Sequence, residues 1–246
     1  MNAIECTNVV KQFEGVRAVD GLNLTVPEGT LLGLLGRNGA GKSTTLKMVT
    51  GLLRPTHGTV QVLGLDVVKH PLEVKQRVGS MPEEMSLLDM LTAHQYLRFV
   101  GRMYGMAETT IDARMAELFD RLELAPAPRL LIADFSFGMK KKVALCAALI
   151  HAPQLIVLDE PFEGIDAVTS RTIKDIILSL SAHGVTVVLT THVLEVVEKL
   201  CPTVAIIDAG RLKAHGPTTE LAKDGSLEAR FVELVGGYRT GDLSWL

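Results

Sequence analysis

"TLLGLLGRNGAGKSTTLKMVTGLL", residues 30 to 53, runs from an apolar stretch closed by glycine into a glycine-rich turn, and then into a segment with Leu46, Val49 and Leu53 at helical spacing. The apolar run 30 to 36 reads as a buried strand and the segment after Gly41 as a helix, so the chain reverses sharply between them. Inside that turn, "GRNGAGKST", residues 36 to 44, sets Gly36, Gly41, Lys42 and Ser43 at the spacing of a P-loop, in the strand-to-helix context that the pattern requires. Glycines let backbone N–H groups wrap phosphate oxygens, Lys42 offers a point charge to the β and γ phosphates, and the Ser43 hydroxyl suits magnesium at a helix N-terminus. The candidate phosphate contacts are therefore Gly36, Arg37, Asn38, Gly39, Ala40, Gly41, Lys42, Ser43 and Thr44.

The rest of the chain bounds what such a loop can serve. It has 246 residues, 47% of them apolar and 22% charged, as in an ordinary globular protein. Its 25 basic residues against 28 acidic ones leave a net charge of −3, with no broad positive field for a nucleic-acid backbone, so no nucleic-acid partner is expected. Cys6, Cys146 and Cys201 are scattered, without CxxC spacing, and read as small buried hydrophobes in a reducing compartment. "MNAIECTNVVKQFEG" lacks the basic start and unbroken apolar run of an export signal. The longest uncharged run, Val143 to Leu158, has 16 residues and is broken by His151, Pro153 and Gln154, whereas a membrane span needs about 20 apolar residues. Any membrane role is then expected through a partner.

Short strands are expected in the first stretch. From about Leu91 to Ile150 the pattern becomes helical: Thr92 and Gln95 form a possible capping box, Leu97, Val100 and Tyr104 one stripe, and Ile111, Met115, Leu118 and Leu122 another. "LIVLDE", 155 to 160, "VTVVLTT", 185 to 191, and "TVAIID", 203 to 208, are β-branched runs with a helical pattern between the first two. Strands alternating with helices predict a parallel sheet covered on both faces. The closing "TGDLSWL", 240 to 246, reads as a mobile end in which Trp245 is a packing or disordered residue rather than a site.

"LIVLDE" adds a second chemical element. It puts Asp159 at the tip of a buried strand, where a carboxylate can hold magnesium, with Glu160 next to it, able to accept a proton from an attacking water. "DFSFGMKKK", 134 to 142, is either a helix start capped by Ser136 or a phosphate grip, and its lysines Lys140 to Lys142 read as a solvated helix face.

In order and spacing these stretches resemble the ATP-binding subunit of ABC transporters, from about Ile4 to Gly237. The resemblance implies an α/β fold: a RecA-like P-loop NTPase core with a parallel sheet, N-terminal antiparallel strands and an inserted α-helical subdomain. It implies one domain, with 1–90 and 153–216 as the catalytic core, 91–152 as the helical subdomain and 217–246 as a C-terminal helical tail. "FSFGM", with Ser136 lying 23 residues before Asp159, stands where that family carries its signature, which implies that Ser136, Gly138 and Met139 grip the γ-phosphate bound by another subunit's P-loop. Phe137 replaces the first glycine of the signature, while Gly138 keeps the second. Phe13 resembles the aromatic that stacks on adenine, Asp166 in "EGID" resembles the D-loop aspartate, and His192 resembles the switch histidine at the γ-phosphate.

One position departs from the pattern: in "RVGSMPEEM", 77 to 85, Glu83 occupies the place of the Q-loop glutamine and adds negative charge near the phosphates. "PEE" and "GSLEARFVELVGG" resemble the ABC-2 type exporters. The implied protein binds ATP and Mg2+, with Ser43 and Asp159 holding the metal and Glu160 and His192 acting in catalysis. It forms a homo- or heterodimer and sits on the cytoplasmic face of the cell membrane through a separately encoded permease subunit. Two other readings stay open on these residues: an ABC-type ATPase not coupled to transport, and a nucleotide-binding regulator that hydrolyses little.

Overall fold

The computed structural model describes residues 1–124, 129–222 and 225–236. The expected mobile end at 240 to 246, with Trp245, lies outside the described residues. So does the rest of the expected tail from 237 onward.

Two strands open the chain, β1 (Asn2–Phe13) and β2 (Val16–Pro27), paired antiparallel across a turn at Glu14 and Gly15, both with positive φ. Each has 12 residues, longer than the short strands expected there. The register of β1 against β2 shifts at several points, such as between Cys6 and Val9, so the ribbon bends and its apolar period is broken in sequence though the strand continues. With β4 (His57–Val62) and β5 (Leu65–Asp66) these strands make a four-stranded antiparallel sheet in the order β2-β1-β4-β5.

A second sheet has six strands in the order β10-β9-β3-β8-β7-β6. Its members β3 (Leu31–Leu35), β6 (Val78–Met81), β7 (Leu155–Leu158), β8 (Thr186–Thr190) and β9 (Thr203–Asp208) run parallel, and β10 (Arg211–Pro217) closes one edge antiparallel. Every residue of β3, β7 and β8 is buried, as a strand covered on both faces requires. Successive side chains then alternate between two cores. Leu31, Leu35, Ile156, Leu158, Val187 and Leu189 join one, while Leu32, Leu34, Leu155, Val157 and Val188 join the other.

The second of these cores is closed by the antiparallel sheet and by α1 (Lys42–Val49) and α2 (Pro71–Arg77), which contribute Leu46, Met48, Val49 and Val74. The first is shared with α3 (Ala93–Met103), α4 (Glu108–Arg121), α5 (Phe137–Leu149) and α6 (Ala167–Ala182). Leu97, Ile111, Met115 and Leu122, from the two predicted stripes, are buried there among the sheet residues, so the helical segment shares one continuous core with the strands. Short helices α7 (Leu194–Leu200), α8 (Thr218–Leu221) and α9 (Leu227–Val235) follow. Among the described residues no helix is long and apolar enough to cross a membrane.

The start of α3 bears out the predicted capping box: Thr92 Oγ1 accepts from the Gln95 N–H at 3.2 Å, and the Thr92 N–H donates to Gln95 Oε1 at 2.9 Å. Thr92→Ala removes one half of that exchange and is expected to cost about 1 kcal/mol, a fall in Tm of about 2 to 4 °C for a chain of this size. An unchanged melting curve would show that the box adds no net stability.

Candidate active site

Parallel strands end on the same side of a sheet, and the loops that leave those ends meet there. β3, β8 and β7 are neighbours, so the segments after Leu35, Thr190 and Leu158 converge. From β3 the chain enters the glycine turn, where Gly39 and Gly41 take φ of 79° and 101°. At Gly41 the left-handed backbone and the nearby Ala18 carbonyl both exclude a side chain, which fixes glycine just before α1. Lys42 is buried, and its Nζ donates to the carbonyls of Gly36 at 2.8 Å and Arg37 at 3.2 Å.

From β7 come Asp159 and Glu160, both buried. The hydroxyl of Thr190, the last residue of β8, donates to Asp159 Oδ1 at 2.5 Å and accepts from the Glu160 N–H at 3.0 Å. Glu160 has a φ of 51°, a left-handed conformation that is uncommon for a non-glycine residue. Its carboxylate faces His192, whose ring Nδ1 lies 3.0 Å from Glu160 Oε2, with the backbone N–H of His192 at 3.4 Å from the same oxygen.

A cavity of about 470 Å³ opens at this point, lined by Phe13, Ala18, Asn38, Gly39, Gly41, Lys42, Ser43, Thr44, Glu83, Asp159 and Glu160. Phe13 stands at its wall with 45% of its surface exposed, unlike a core phenylalanine. Gly36, Arg37 and Ala40 are not part of the lining. Ala40 is buried and accepts from the Gly210 N–H, while Gly36 and Arg37 offer carbonyls to Lys42, so these three shape the loop from behind. The Glu83 carboxyl is held above the usual carboxylate range, first by loss of solvent and then by Asp159, Glu163 and Glu160, with Lys42 pulling the other way. Negative charge is thus crowded at one side of the cavity.

The signature residues lie elsewhere. Ser136, Gly138 and Met139 are absent from the lining of this cavity, at the start of α5, where Ser136 Oγ accepts from the Met139 N–H at 3.3 Å. The capping role expected of Ser136 is present. Asp166 caps α6 in the same manner, accepting from the Thr169 N–H at 2.9 Å and its hydroxyl at 2.7 Å, and these bonds hold its carboxyl below the usual range.

The three lysines do not share a solvated face. Lys140 reaches toward Asp89 at 3.4 Å, but Lys141 is only 1% exposed, because its ammonium points inward to carbonyls of the loop after β7. Thr190 was also unmarked in the sequence: "VTVVLTT" shows a β-branched run, and only the pairing of β8 with β7 puts its hydroxyl between two carboxylate-bearing residues. Thr190→Val keeps the shape and removes the hydroxyl. Loss of an orienting partner of this kind costs about 10- to 100-fold in metal affinity or activity, so nucleotide hydrolysis is expected to fall by that factor at limiting magnesium. Unchanged turnover would remove the bridge from the site's working parts.

Comparison with known proteins agrees with this geometry. The family described as "ABC transporter" matches residues 19–163. The daunorubicin/doxorubicin resistance ATP-binding protein of Streptomyces peucetius is 41% identical over 219 residues, covering 89% of this chain but 66% of its own length. The ABC transporter ATP-binding protein NatA of Bacillus subtilis is 39% identical over 223 residues, covering 89% of this chain and 91% of its own. The chain therefore spans about two thirds of the first of these relatives and most of the second. A solved ATP-binding subunit of an ABC transporter superimposes with a TM-score of 0.89 at 29% identity, covering 94% of this chain and 99% of that one. A glycine loop after β3, acidic residues after β7 and a matched span that contains both lead to one conclusion: the chain belongs to the ABC transporter family.

Proposed function

We propose that the chain is the ATP-binding and ATP-hydrolysing subunit that powers a separately encoded membrane subunit of an exporter. The observation that carries this reading is the meeting of Phe13, Lys42, Ser43, Asp159 and Glu160 on one cavity at the strand ends. Phe13 would take the adenine face and the glycine turn the phosphates. Glu160 takes a proton from water as its oxygen bonds to the γ-phosphorus. The bond from that phosphorus to the bridging oxygen breaks, and ADP departs with the electron pair. His192, in contact with the Glu160 carboxylate, orients it.

Ser43 and Asp159 would hold Mg2+, which neutralises phosphate charge when bound. The donor set fits: the Ser43 hydroxyl and the Asp159 carboxylate line one cavity, and Mg2+ is usually held by one or two protein oxygens together with substrate phosphates and water. Crowded carboxylates at Glu83, Asp159 and Glu160 also favour a cation between them and a triphosphate.

The exposed start of α5, outside the chain's own phosphate cavity, supports a head-to-tail dimer in which Ser136, Gly138 and Met139 meet the partner's nucleotide and Asp166 reaches across. In this reading 1–90 and 153–216 work as the catalytic core and 91–152 as the helical part that moves with the partner's nucleotide. Leu88 and Met90 on the Glu83 loop, and Phe99 and Met103 on α3, are exposed, which suits an apolar contact with a membrane subunit at the cytoplasmic face. The Streptomyces relative, named for daunorubicin/doxorubicin resistance, supports an exporter.

Glu160→Gln keeps the shape but cannot take the proton, so turnover is expected to fall about 10²- to 10⁴-fold while MgATP still binds. Normal hydrolysis in that variant would hand the role to another group. Glu83→Gln is expected to stay within about tenfold of the unaltered chain, a barrier change near 1.4 kcal/mol, whereas Glu83→Ala weakens stimulation by the reconstituted membrane subunit. Stimulation of Glu83→Ala as strong as that of the unaltered chain would remove the Glu83 loop from the coupling path.

A further inference from the structure

Lysine is almost never fully buried without partners, yet Lys141 is among the largest fully buried side chains of this chain. Its Nζ donates to the carbonyl of Glu160 at 2.6 Å and to the carbonyl of Glu163 at 2.5 Å. The ammonium also lies 5.2 Å from the centre of the Phe137 ring, one helical turn earlier on α5. That ring in turn covers Gly164, where a Cβ would come within 2.6 Å of Phe137 Cε1 and where φ is +66°. The first turns of α5 therefore grasp the backbone from 160 to 164 at both ends.

The charge is not explained by packing. A methionine would fill much of the same space without desolvating an ammonium, and burial does push the Lys141 pKa down, against the pull of Glu163, Glu160 and Glu83. What the ammonium supplies, and an apolar side chain cannot, is hold on two carbonyls. One belongs to Glu160, whose N–H is already held by Thr190 and whose φ is left-handed. Both peptide groups of Glu160 are thus tied to neighbouring elements, β8 on one side and α5 on the other.

We propose that Lys141 is a positioning residue for ATP hydrolysis: by holding the Glu160 and Glu163 carbonyls it fixes the aim of the Glu160 carboxylate, and it ties that aim to the start of α5. The inference rests on Glu160 being the general base. Phe137, itself half exposed, is then one wall of the Lys141 site, and its replacement of a signature glycine has a structural use. Lys141 donates to carbonyls of the loop after β7 and not to the P-loop between β3 and α1, so the effect is expected on the rate and not on binding.

The test uses the full chain with Lys141→Met. A displacement of about 1 Å in a catalytic group can cost about 10²-fold, so kcat is expected to fall 10- to 100-fold while MgATP affinity stays within twofold. Lys141→Gln, which keeps a neutral donor, is expected to recover part of the rate, and it serves as the test variant if Lys141→Met does not fold by circular dichroism. In single-turnover measurements, Lys141→Met added to Glu160→Gln is expected to cause no further loss, since a group that acts through Glu160 has nothing left to position. Turnover within twofold of the unaltered chain in the folded variant, equal losses with and without Glu160, or a matching loss of affinity would each overturn the proposal. Normal hydrolysis by Glu160→Gln alone would instead refute the general-base reading, a result separate from any change at Lys141.

Discussion

Parallel pairing of β3, β8 and β7 is the constraint on which the site depends. The register sets Leu34 beside Thr190 and Leu158 beside Leu189, so the glycine turn, the Thr190 hydroxyl and the acidic pair leave the sheet at one level. Evenly spaced, slanted hydrogen bonds allow no such alignment unless both faces of the strands are covered, because parallel sheets are stable only when buried. The two cores that flank the sheet are therefore part of the chemistry. Without them Lys42 and Asp159, far apart in the chain, would have no common frame.

Within that frame, two ammonium groups do comparable work on two different loops. Lys42 donates to carbonyls of the loop before it, and Lys141 donates to carbonyls of the loop after β7. Each is a buried charge that would be costly alone and is made tolerable by hydrogen bonds to backbone oxygens. The difference lies in what surrounds them. Lys42 lines the cavity, with Ser43 and Asp159, where phosphate oxygens can replace carbonyls as its partners. Lys141 has no open side, which makes it a strut between a helix and a strand end.

Helix caps supply a second layer of order. Ser136 and Asp166 each receive the backbone N–H three residues ahead, at the starts of α5 and α6. Capping sets the rotamer and direction of a short polar side chain before any ligand arrives, so both residues are held at exposed helix starts by local bonds alone. The same bonds lower the energy of the folded chain, and a serine or aspartate there is justified even without a phosphate nearby.

Much of this was legible in the sequence because it is local. The P-loop spacing of Gly36, Gly41, Lys42 and Ser43, the β-branched runs ending at Asp159 and Thr191, the Thr92 and Gln95 box and the cap at Ser136 all depend on residues within a few positions of each other. The length of β1 and β2 was not, since bulges break the alternation that marks a strand. Nor was the fate of the lysine run: three adjacent charges on a helix point in three directions, and only the packing of α5 on the loop after β7 decides that the middle one is buried. Thr190 likewise became a bridge through the strand beside it. Sequence determined which chemical groups the chain carries and the local turns that present them. Tertiary structure decided which of them share a hydrogen bond, because that depends on distances between segments that no short-range pattern encodes.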